Sequence, residues 1–189
     1  MEELVNHFIL AYDNAKELIL GIGETLENYY KTQGHDFSAQ TFCSQFDCIM
    51  QYSLLELAAA DGNVNENELL LIKGTPQHGD LIDYINSFYQ TKFTWENVYY
   101  AGAGVLRSWL ENNRQHMDRL AHEFINGFVT MDYSVDLDLE TILCEKVAAI
   151  SVILSHADGA STTNEAKAVP STYISMVLAT IRQTIQNLK

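Results

Sequence analysis

Proline is nearly missing from this chain, with two residues in 189, Pro76 and Pro170. Glycine is sparse as well, at ten. Turn-rich β folds draw on both residues at their reversals, so this scarcity argues against one and favours long helices. Basic side chains are few: 11 Lys and Arg stand against 25 Asp and Glu, a net charge of -14. Residues 1–94 carry 14 acidic and 4 basic side chains and residues 95–189 carry 11 and 7, so neither half is basic. That balance repels a phosphate backbone and excludes nucleic acid as a natural partner. It suits basic partners or cations instead. The three cysteines, Cys43, Cys48 and Cys144, are an odd number, which fits a reduced, cytoplasmic setting. Cys43 and Cys48 lack a CxxC set, so all three are expected as buried apolar side chains rather than ligands. No apolar run approaches the roughly 18 residues that suggest a spanning helix. The opening Met1-Glu2-Glu3, followed by Asp13, Lys16 and Glu17, does not resemble a signal peptide. A soluble cytoplasmic protein without a membrane span is expected.

Catalytic signatures are missing too. There is no P-loop, GxGxxG, GxSxG or HExxH. No Glu-x-x-His pair exists, which argues against a ferritin-like di-iron bundle. No nucleophile–base pair can be nominated, so no catalytic residue is assigned and an enzyme is the weakest reading.

What the chain does have is apolar content, 47%, at helical period. Leu4, Phe8, Ile9, Tyr12, Ala15, Leu18, Ile19, Ile22, Leu26 and Tyr29 recur at three and four, predicting a helix over 2–31 that Gly34 stops. The same reading gives helices over about 38–60, 66–73, 79–90, 95–112, 116–130, 139–157 and 171–187, with a further short helix near Thr163. Gly102 and Gly104 suggest a close helix–helix contact. Residues 131–138, with Asp132, Asp136 and Asp138, suggest a solvated acidic connection. The aromatics Tyr29, Tyr30, Phe88, Tyr89, Trp95, Tyr99, Tyr100 and Trp109 suit the core and rim of a bundle, or a groove for a partner helix. The fold class is all-α, a bundle of about 7–9 helices in a single domain over 1–189.

One phrase occurs twice. Ala60-Asp61-Gly62 leads to Glu68, and Ala157-Asp158-Gly159 leads to Glu165, 97 residues later. The offset is close to half the chain and suggests two pseudo-symmetric halves, about 1–93 and 94–189, sharing one core. A structural reading explains much of the phrase. Gly62 and Gly159 sit where a left-handed residue ends a helix. Asn65 with Glu68, and Thr162 with Glu165, have the spacing of an N-cap and its N3 partner. A ligand reading explains the aspartates. Asp61 and Asp158 lie at helix C-terminal ends, where free carbonyls and the macrodipole are already negative. A hard divalent cation such as Ca²⁺ would be drawn to both. Asp61, Glu68, Asp158 and Glu165 are therefore the candidate metal ligands, with the first copy the richer in oxygens. An EF-hand does not fit, because its positions 6 and 12 fall on Glu66 and Ile72. His156 stands two residues before Asp158 and could join a site there.

Residues 57–68, Leu-Ala-Ala-Ala-Asp-Gly-Asn-Val-Asn-Glu-Asn-Glu, resemble the TerB-like family, named for a tellurite-resistance protein. Its pattern is a helix ending in Ala-Asp-Gly, a small apolar residue (here Val64), then an acidic helix start. The second copy departs from it: Ser161 replaces the apolar residue, and the acidic run shrinks to Glu165. The resemblance implies an all-helical fold with related halves, a stress-response or regulatory role, and metal binding through the acidic positions. It does not imply tellurite as a ligand. The expected function is weak divalent-cation binding at acidic helix ends. The alternative is a metal-free module that binds an unknown protein partner.

Overall fold

The computed structural model describes residues 2–60, 62, 64–75, 78–90, 92–135, 138–157 and 172–188. Among them the secondary structure is helical throughout: α1 Glu2–Thr32, α2 Ala39–Ala58, α3 Glu66–Gly74, α4 Leu81–Asn86, α5 Trp95–Val135, α6 Leu139–Leu154 and α7 Tyr173–Leu188. No described helix is long and apolar enough to cross a membrane. The short helix expected near Thr163 lies outside the described residues.

Local chemistry sets several helix ends. Gly34, at φ 74°, closes α1. The Gly34 N–H bonds Lys31 O at 3.2 Å and the His35 N–H bonds Tyr30 O at 3.0 Å, the paired bonds of a Schellman stop. Ser38 caps α2 by accepting the Thr41 N–H at 3.2 Å.

α2 is the hub, packed against every other helix named above. Sixteen of its 20 residues are buried, so it has no solvent face to hold its polar side chains. Those polar groups meet partners on several neighbouring segments. Gln45 donates to Glu123 of α5 at 2.8 Å. Asp47 accepts the Tyr12 hydroxyl of α1 at 2.9 Å and the His78 N–H at 3.0 Å. Lys16 of α1 stands 3.5 Å from the same carboxylate, and both side chains are buried. Gln51 accepts the Leu81 N–H at 2.7 Å, and Ser53 accepts the Ile174 N–H at 2.8 Å. Glu56 accepts the Tyr173 N–H at 2.7 Å. The last three bonds satisfy N–H groups that the first turns of α4 and α7 would otherwise leave bare. Burying a polar group without a partner costs about 1–3 kcal/mol, so this set of partners selects one arrangement of helices around α2.

Four expectations need correction. First, no gap separates 95–112 from 116–130: the chain is continuously helical from 103 to 135. Asn113 is buried and donates to Trp109 O at 2.7 Å, and no Pro or Gly interrupts the run between them. The break lies at Gly102 instead, with φ 70° and ψ 161°. Secondly, a Cβ at Gly102 or Gly104 would meet nothing within 4 Å, so neither marks a close helix contact. Among the helical glycines the close approaches are at Gly23, where a Cβ would come 3.2 Å from the Ala39 backbone, and at Gly127, 3.0 Å from the Phe42 ring. Thirdly, the helix runs on through Val135, and Asp132 is buried rather than solvated. It accepts the Leu139 N–H at 2.8 Å and so helps start α6. Fourthly, the helix in 79–90 stops at Asn86, leaving Phe88 and Tyr89 about half exposed beside it.

Candidate functional site

The first copy of the doubled phrase begins where α2 ends. The Ala59 N–H bonds Leu55 O and the Ala60 N–H bonds Leu57 O, each at 3.0 Å, and Gly62 turns the chain at φ 94°. The carbonyls of Ala59 and Ala60 lie at the end of the regular ladder of α2, and the Ala59 oxygen accepts the Gly62 N–H at 3.3 Å. Arg107, from α5, takes both. Its Nε donates to Ala59 O at 2.9 Å, its Nη2 reaches the same oxygen, and Nη2 also bonds Ala60 O at 3.3 Å. A positive group does sit at the negative end of α2, as the macrodipole demands, and it is a guanidinium. Asp61, the next residue in sequence, lies outside the described residues.

Glu68 is 2% exposed and turned back on its own helix. Its Oε2 accepts the Asn65 N–H at 2.9 Å, while Asn65 Oδ1 accepts the Asn67 N–H at 2.8 Å, and together they form a capping box. Val64 before the cap and Leu69 after it both pack into the core. Asp158 and Glu165 lie outside the described residues, as does the Thr162 cap expected beside them, so the second copy and the symmetry of the halves have no geometry here. His156, two residues past the end of α6, bonds the Val152 carbonyl of that helix through Nδ1 at 2.7 Å. Among the described residues no group of three or more His, Cys, Asp or Glu is placed to hold a metal ion.

The capping box orients α3 alongside the start of α5. Thr94 and Asn97 cap α5 reciprocally: the Thr94 N–H bonds Asn97 Oδ1 at 2.9 Å and the Asn97 N–H bonds Thr94 Oγ1 at 3.2 Å. Trp95 Nε1 donates to Asp80 at 3.0 Å, which pins this first segment. The break at Gly102 sets residues 95–101 off from the rest of α5. Between α3 and this segment runs a groove of about 270 Å³, walled by Leu69, Leu70, Trp95, Tyr99 and Tyr100. Leu70 is 63% exposed and Tyr100 is 81% exposed, far more than core residues. Glu66 and Glu96 line the same groove, with Lys73 the one cationic group among its described lining residues.

A second cleft, of about 370 Å³, lies beside Arg107 and is lined by Tyr52, Glu56, Glu111 and Arg114 among others. The Glu56 and Arg114 charges in it are already engaged. The Arg114 guanidinium sits 4.2 Å from the Tyr173 ring centre, 3.5 Å from Glu56 and 3.3 Å from Asp118. Burial raises the Glu56 carboxyl above its ordinary value, against the pull of the Tyr173 N–H and Arg114. Burial first, then Glu56, pushes the Tyr52 hydroxyl up to about 12. The residues form a latch across α2, α5 and α7 rather than an acid–base pair.

The cysteines are poor nucleophiles. Burial pushes the Cys43 thiol up to about 11 and Cys48 up to about 12. Cys144 is only half-buried and donates to Glu140 at 2.8 Å. Burial and that carboxylate push it up to about 12.

Sequence reasoning missed Arg107, and although it offered a partner groove among aromatics that include Trp95, Tyr99 and Tyr100, it did not place α3 as the other wall. The adjacent pair Tyr99-Tyr100 carried a signal for the groove: neighbouring helix positions point about 100° apart, so both rings cannot face the same core. For Arg107 there was no local signal. No family model matches the chain, and no curated protein and no solved structure matches it either.

Proposed function

We propose that this chain is a TerB-like helical module that works without a bound metal and takes a basic, apolar-anchored protein segment in the groove between α3 and α5. The observation that carries the reading is Arg107 on the Ala59 and Ala60 carbonyls, because it supplies the positive charge for which a metal ion was the earlier candidate. Glu68, the described candidate ligand, is committed to its capping box. The groove supports the choice of partner: exposed Leu70, Tyr99 and Tyr100 offer apolar contact, and Glu66 and Glu96 favour a cationic segment. The net charge of -14 would steer such a segment toward the protein.

The test uses a fluorescent amphipathic peptide with leucines on one face and lysines on the other. Binding should survive EDTA and weaken with salt. It should fall about tenfold or more in Leu70→Ser/Tyr100→Ser, each an exposed side chain. Loss of binding on chelation, or no loss in the variant, overturns the reading. The rival, weak cation binding at Asp61 and Asp158, predicts a different result. A Ca²⁺, Mg²⁺, Mn²⁺ or Zn²⁺ series at a hundredfold excess over Kd would stabilise the fold by about 2.7 kcal/mol. That shift should vanish in Asp61→Asn/Asp158→Asn.

A further inference from the structure

A third cavity shares no lining residue with the groove or the arginine cleft. It lies where the end of α1 and the start of α2 meet the middle of α5, and its volume is about 560 Å³. Small-ligand sites typically hold roughly 300–1,000 Å³, so its size suits a small organic molecule. Its wall is aromatic. Tyr30 stacks on Phe37 with ring centres 5.3 Å apart, and Phe37 leans on Phe42 at 5.9 Å. Phe42 in turn stacks on Phe124 of the core at 4.7 Å, which fixes the wall to the hydrophobic centre of the protein.

Two features keep the space open and charged. Gly127 of α5 stands where a Cβ would come within 3.0 Å of the Phe42 ring, so its missing side chain lets that ring sit against the helix. Glu123, one turn earlier, is held by the 2.8 Å hydrogen bond from Gln45, a residue only 9% exposed. Asp36 supplies a second carboxylate from the loop between α1 and α2. Among the described residues no lysine or arginine lines the cavity.

We propose that this cavity binds an organic cation with an apolar body. The ammonium or guanidinium head sits at Asp36 and Glu123, and the body lies against Tyr30, Phe37 and Phe42. Two carboxylates on one lining, with no lysine or arginine among the described lining residues, select for positive charge, and an aromatic wall adds apolar contact area that an inorganic ion could not use. An anion of the same shape would meet two like charges and be rejected.

Titration calorimetry with phenethylammonium, phenethyl alcohol and phenylacetate tests the charge rule on one carbon skeleton. The ammonium should bind, the alcohol should bind about tenfold more weakly, and the carboxylate should not bind. Affinity for the ammonium should fall as NaCl is raised. Asp36→Asn/Glu123→Gln should lose about tenfold, with the Gln45 contact retained by the new amide and the thermal melt unchanged. Phe37→Leu should weaken the ammonium and the alcohol together. Equal binding of ammonium and alcohol, an unchanged affinity in the double variant, or no ammonium binding at millimolar concentration overturns the proposal. So does binding of a lysine-containing peptide without binding of the free amine, which would assign the cavity to a protein side chain.

Discussion

Arg107 Nε lies 2.9 Å from the carbonyl oxygen of Ala59, 48 positions earlier in the chain. This contact joins α5 to the end of α2 and adds a charged donor to a carbonyl that otherwise accepts the Gly62 N–H at 3.3 Å. A hydrogen bond to a charged group contributes about 1.5–3 kcal/mol when its partner is buried, and Ala59 is fully buried. Arg107 itself is exposed, which lowers the expectation. Arg107→Ala should therefore cost about 1–2 kcal/mol in urea unfolding, and Arg107→Lys should cost less. Added Ca²⁺ should not restore the loss. Full recovery with Ca²⁺ would show that a metal can take the guanidinium's place.

Lys16 and Asp47 form a buried ion pair at 3.5 Å, and Asp47 is 0% exposed. Removing one partner of such a pair typically costs about 3–5 kcal/mol. Asp47→Ala should be the worse of the two single changes, because it also abandons the Tyr12 hydroxyl and the His78 N–H. Lys16→Met leaves Asp47 with both of those donors and should be milder. The double variant Lys16→Met/Asp47→Ala should lose less than the sum of the two single changes. Strict additivity would mean that the two side chains are not coupled.

Glu56 gives a pH dependence of defined sign. Its folded-state pKa is raised above 4.5, chiefly by burial, so between the unfolded and folded values the native state holds more protons than the unfolded one. Stability from this group is therefore greatest below the unfolded value and is lost as pH rises through the folded value. Glu56→Gln keeps an acceptor for the Tyr173 N–H and cannot titrate. Relative to Glu56→Gln, the natural chain should lose stability as pH climbs out of the ordinary carboxylate range. Parallel curves for the two proteins would contradict the raised pKa.

Gly102 holds φ 70° and ψ 161°, a region open to glycine and hardly to any other residue. Gly102→Ala should cost about 1–3 kcal/mol in chemical unfolding. It should also weaken peptide binding in the α3–α5 groove, because straightening the helix moves Tyr99 and Tyr100 relative to α3. Gly104→Ala makes the control, since a Cβ there meets nothing within 4 Å. An equal effect of the two substitutions would deny Gly102 its special role.

Signals confined to a few neighbouring residues were legible in the sequence. The stripe from Leu4 to Tyr29 marked α1, and Gly34 marked its end. Asn65 and Glu68, three apart, announced the capping box that sets the angle of α3. Where the local pattern misled, a distant partner or a steric detail was responsible. The polar run around Asn113 looked like a loop, but Asn113 is buried within α5. Asp132 looked solvated because charge alone says so, yet it serves the first turn of α6. Gly102 looked like a packing contact, when its function is conformational.

The sequence by itself determined an all-helical chain, most of its helix boundaries and the cap at Asn65, because periodicity and capping act over one to three turns. Only the tertiary structure decided what meets the end of α2, which helix is central, and where apolar side chains remain exposed. Those outcomes depend on groups tens of residues apart arriving at one place. Arg107 at Ala59, Gln45 at Glu123 and Tyr99 beside α3 are each the product of how the helices pack, and no local spacing encodes them.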